Sequence, residues 1–104
     1  MKKTAFPVLP KSIQGMSGPI EVNRPIQIGK RLGAMGTWEY QSRRIRVQGN
    51  LPRRIAWETL LHEMAHAALW DNGFPVDGEL EERLCDLWSS SMIHVVEHLV
   101  TERE

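Results

Sequence analysis

Between Leu60 and Leu69 the chain reads Leu-Leu-His-Glu-Met-Ala-His-Ala-Ala-Leu, an apolar run whose only ionisable groups are His62, Glu63 and His66. Apolar residues recur here at helical spacing, and residues four apart on a helix project from one face. The two imidazoles can therefore meet at a single metal ion. Glu63 is displaced around the helix from His62, so its carboxylate reaches a water held at that point and not the metal itself. The flanks Leu60, Leu61, Met64, Ala65, Ala68 and Leu69 supply a broad apolar surface. Any fold must bury that surface while leaving the histidine face accessible.

The His-Glu-x-x-His spacing thus provides two ligands and a base, the combination that zinc hydrolases use. With 104 residues, 41% of them hydrophobic, the chain makes one small domain with one core. Cys85 is the only cysteine, which excludes an intrachain disulfide and a cysteine-rich zinc site; it reads as a small buried apolar residue. The first ten residues hold two lysines but no apolar stretch long enough for a signal peptide or a membrane span. A soluble cytoplasmic protein with no membrane partner is expected. The formal net charge is zero, yet 11 of the 13 Lys and Arg precede Ile55 and 11 of the 13 Asp and Glu follow it. That asymmetry permits a basic surface for nucleic acid, but no recognised binding motif accompanies it, and salt bridging between the halves accounts for it equally well.

The first half has the character of strands and turns. Pro19 to Val22 and Pro25 to Ile28 alternate apolar with polar residues between Gly and Pro. Thr37 to Tyr40 and Arg44 to Val47 alternate too, which suggests a hairpin with Arg44 and Arg46 on one face and Ile45 and Val47 on the other. Lys30 to Gly36 is a glycine-rich connection that lacks the features of a phosphate loop. A helix is expected from Pro52 to Trp70, with a stop near Asn72 and Gly73, and a second from Glu79 to near Thr101, capped by Asp77 or Gly78. On this second helix Leu80, Leu84, Leu87, Trp88, Ser91 and Val95 share one side. Trp57, Trp70 and Trp88 read as packing residues. The fold class is therefore α+β: a small N-terminal antiparallel or mixed sheet, then the metal-site helix, then a glutamate helix. Residues 1–18 form an N-terminal extension and 19–104 the domain.

A hydrolytic zinc site needs a third protein ligand and leaves a fourth position for water. The acidic run Glu79-Leu80-Glu81-Glu82-Arg83-Leu84-Cys85-Asp86 is the nearest source. At 100° per residue Glu82 and Asp86 share a face with Glu79, and Glu81 points elsewhere. Glu82 is the chosen ligand, with Asp86 free to hydrogen-bond the other nitrogen of His62; Glu79 is the competitor. His94-Val95-Val96-Glu97-His98 matches an inverted His-x-x-Glu-His pattern, but it falls off the Glu82 face and reads as a solvated helix end.

Glu58 to Trp70, followed by Glu82-Arg83-Leu84-Cys85-Asp86, resembles small gluzincin-type metallopeptidase domains. It is most similar to the minimal phage-encoded versions related to the peptidase domain of ImmA/IrrE proteins. The resemblance implies a zincin-like fold from about Ile20 onward, with a short three-stranded sheet and two helices. It also implies one Zn2+ per chain held by His62, His66 and Glu82, and Glu63 as the catalytic general base in hydrolysis of a peptide or protein substrate. The first helix also resembles SprT-like proteases, whose third ligand is a histidine where this chain has Glu79. In related folds the substrate lies along an edge strand, and Arg44 to Val47 is the candidate. A zinc-stabilised binding module without catalysis, or a nucleic-acid-associated accessory protein, are the alternative readings.

Overall fold

The computed structural model describes residues 6–26 and 35–102. Four strands, β1 (Ser12–Gly15), β2 (Gly18–Asn23), β3 (Gly36–Glu39) and β4 (Arg44–Val47), precede two helices, α1 (Arg53–Asn72) and α2 (Gly78–Glu102). The strands form one mixed sheet in the order β1-β2-β4-β3. β1 and β2 are an antiparallel hairpin, β3 and β4 are another, and β2 joins the two by pairing parallel to β4, with Val22 opposite Ile45.

Period-two alternation sets the faces of the sheet. Ile45 and Val47 are fully buried beneath α1 with Ile20, Val22, Ala56 and Leu60, while Arg44 and Arg46 lie on the other face and pair with Glu39 at 2.7 and 3.6 Å. Pro52 precedes α1, where its missing N–H leaves no orphan donor. Gly73 ends the helix at φ 62°, and its N–H and that of Phe74 close back on the carbonyls of Trp70 and Leu69. Asp77 caps α2 by accepting a 2.8 Å hydrogen bond from the Leu80 N–H. Among the described residues α2 packs on α1 and meets no strand, so the layers run sheet, α1, α2. Basic Lys11, Arg24, Arg43, Arg44 and Arg46 sit on the sheet layer, and the acidic groups Glu79, Glu81, Glu82, Asp86 and Glu97 on α2. Among the described residues no helix is long and apolar enough to cross a membrane.

Several expectations change. Residues 6–18 are not an extension: Phe6 and Leu9 are buried, Phe6 packs with Leu61 and Ile93, and β1 adds a fourth strand to the three expected. The carbonyls of Phe6 and Pro7 accept hydrogen bonds from Arg53 and Trp57, which ties this segment to α1. Arg44–Val47 is not an edge, because β4 is paired on both sides; β1 and β3 are the edges. Pro25 and Ile26 lie outside any strand, Gln27 and Ile28 lie outside the described residues, and so does most of the Lys30–Gly36 connection. Trp57 packs in the core. Trp70, 53% exposed, stacks instead on Tyr40. On α2 the apolar stripe faces water, with Leu87 65% and Trp88 43% exposed. The helix buries Cys85, Ser89 and Ile93 in its place, because the acidic face is the one turned toward the histidines of α1.

Candidate metal centre

α1 and α2 form a hairpin joined by a short connection, so ascending residues on α1 meet descending residues on α2. His62 lies beside Glu82 and Asp86, and His66 lies beside Glu82 and Glu81. The three candidate ligands lie close enough to hold a metal ion, with one donor atom from each of His62, His66 and Glu82 all within 4.8 Å of one another. The Nε2 atoms of His62 and His66 are 3.2 Å apart. The two Glu82 oxygens lie 3.2 Å from the first and 3.0 Å from the second. Tetrahedral ligands about 2.1 Å from zinc are separated by about 3.4 Å, so the spacing is compatible with such an ion.

The donor set argues in the same direction. Behind His62, Asp86 lies 3.0 Å from Nδ1; behind His66, Glu81 lies within hydrogen-bond distance of Nδ1 at 2.5 Å. A carboxylate placed behind Nδ1 favours the tautomer whose Nε2 is left to meet a metal. Both Nε2 atoms and the two Glu82 oxygens converge on one point, and two imidazoles with one carboxylate are a donor set that could hold a cation.

Glu63 sits beside the cluster but is 7% exposed. Burial raises its pKa, and the neighbouring His66 and His62 oppose that rise. A cavity of about 390 Å³ opens over His62, Glu63 and Glu82, walled by Gly36, Ile55 and Thr59. A second, of about 440 Å³, lies on the His66 side between Trp38, Leu69, Trp70 and Phe74. β3 runs past both, with Gly36 at one cavity and Trp38 at the other.

Of the competing carboxylates, Glu82 is the one brought to both histidines; Glu79 is exposed and outside the cluster. Glu81, expected to point away, instead reaches His66. The helical wheel did place it 100° from Glu82, but the two imidazoles span a full turn of α1, and their outer nitrogens need acceptors on both sides of the shared ligand. A carboxylate immediately before Glu82 and another four after it was the available signal. His94 and His98 are exposed at the far end of α2, where His98 approaches Glu102 at 3.9 Å. Burial pushes the Cys85 thiol up to about 12, so it is no nucleophile. In comparisons with known proteins, no family model, no curated protein and no solved structure matches the chain.

Proposed function

We propose that this chain is a zinc-dependent peptidase of minimal zincin-like design, with His62, His66 and Glu82 as ligands and Glu63 as general base. The supporting observation is the buried Glu63 carboxylate beside a two-histidine, one-carboxylate set at the floor of an open cavity. Zinc, when bound, would supply a Lewis acid that makes water acidic and polarises a carbonyl. Glu63 takes the proton from the attacking water and returns it to the leaving amine. Its raised pKa suits both transfers, since a carboxylate that holds a proton more readily is also a competent acid in the second step. Asp86 and Glu81 keep the two imidazoles in one tautomer and orientation throughout.

The substrate is an extended peptide laid along the edge of β3 that pairs with no strand among the described residues. The Gln48 N–H bonds the Met35 carbonyl, so in the antiparallel ladder Thr37 and Glu39 also point at β4 and the backbone groups of Gly36 and Trp38 point outward. Those two residues flank the candidate metal centre, and their outward donors and acceptors, unpaired with any strand among the described residues, suit strand addition.

Elemental analysis of wild type, Glu82→Ala and Glu63→Gln, with cleavage of an unfolded protein followed in parallel, tests the reading. Wild type should carry one zinc per chain and cleave, Glu82→Ala should lose both, and Glu63→Gln should keep zinc and lose cleavage. A zinc-loaded wild type that cleaves nothing would turn the reading toward a metal-stabilised binding module; a wild type that takes no zinc would end it.

A further inference from the structure

The apolar stripe of α2 has no cover among the described residues. Leu80, Leu84, Leu87, Trp88, Val95 and Leu99 are between 38% and 65% exposed, and they occupy a continuous arc of about 120° along five helical turns. A soluble domain does not usually leave so long an apolar face wet. We propose that it is the interface of a homodimer in which two α2 helices pack antiparallel about a twofold axis.

The order of residues along the stripe carries the choice of a second copy. In an antiparallel pair the residues that face each other have a constant sum of numbers. With the axis between Ser89 and Ser90, Leu80 faces Leu99 of the second copy, Leu84 faces Val95, and the bulky Trp88 faces the small Ser91. Large side chains meet small ones at the centre and aliphatic ones meet each other at the ends, so the surface is complementary to itself.

The area suffices. At roughly 200 Å² for a fully exposed large side chain, these six present on the order of 600 Å², close to the roughly 800 Å² per partner of a standard interface before the flanks are added. A groove of about 560 Å³ between α1 and α2, lined by Ala65, Ala68, Leu69, Leu84 and Trp88, extends the apolar surface sideways. The reversed register delivers Val95 and Leu99 of the second copy to the end of the stripe where that groove lies. Glu82 is on the opposite side of α2 from the stripe, so the metal centre of each copy stays open.

Sedimentation equilibrium at micromolar concentration on wild type, Leu87→Glu and Val95→Glu tests the proposal, with circular dichroism as the check on folding. The expected result is twice the 11.9 kDa chain mass for wild type and a monomer, with helical content unchanged, for either variant. Both substituted side chains are exposed within one chain, so neither should unfold it, and Val95→Glu decides should Leu87→Glu lose its helices. A monomeric wild type overturns the proposal, and so does a dimer that survives both substitutions.

Discussion

Each histidine of the centre is held by a carboxylate of different quality. Glu81 binds His66 at 2.5 Å with 32% of its side chain exposed, whereas Asp86 binds His62 at 3.0 Å and is 71% exposed. Water competes less for the first contact, so it should contribute more to metal affinity. Glu81→Ala is expected to weaken zinc binding by about 10 to 100-fold, Asp86→Ala by less, and Glu79→Ala not at all; competition with a chelator reads all three. A second residue-scale contact lies at the other end of α1. Arg43 donates to both Asp71 oxygens at 2.8 and 3.0 Å and also to the carbonyls of Gly18 and Pro19. The Arg43 guanidinium holds the Asp71 carboxyl below its usual value near 3.8. A carboxyl with a depressed folded-state pKa contributes stability that is present above the unfolded value and lost as pH falls through the folded one. Acid unfolding below about pH 4 should therefore be less steep in Asp71→Asn, whose melting temperature at pH 7 should already be lower by about 5 °C.

β3 passes close over α1 at Gly36. A Cβ added at Gly36 would stand 2.6 Å from Thr59 Cγ2 and 3.2 Å from both Glu63 Cγ and the Arg46 carbonyl. Gly36→Ala must displace Thr59 or push the strand away, with Glu63 giving by a few tenths of an ångström, and a cost of about 1 to 3 kcal/mol in denaturant unfolding is expected. If Glu63 is the general base proposed above, cleavage should fall further than stability, because the change is felt at its side chain. This crossing also shows why only part of the molecule was legible beforehand. Helix limits, caps, and the grouping of His62, His66 and Glu82 depend on periodicity and short range, and those can be read residue by residue. Strand order cannot: the Arg44–Val47 alternation describes a half-buried strand equally well at an edge or in the interior, and only the parallel pairing of β2 makes it interior. β1 escaped notice because Ser12–Gly15 has one inward apolar residue, Ile13. The choice between the two faces of α2 was likewise set by tertiary contact, since the histidines drew the acidic face inward against its hydrophobicity.

At the scale of the whole molecule the sheet, α1 and α2 are stacked, and charge follows the stacking. The formal sum is zero, but among the described residues basic groups outnumber acidic ones in the sheet layer and acidic groups outnumber basic ones on α2. Opposite charges separated across a domain make a large electric dipole, and a dipole is felt locally wherever the approaching surface lies within a Debye length, about 10 Å at 0.1 M salt. At neutral pH and low ionic strength the protein should therefore be retained by cation-exchange and anion-exchange resins alike, each binding a different end, and moderate salt should release it from both. A molecule that titration describes as neutral would then behave in a charged environment as a compass needle, orienting before it makes contact.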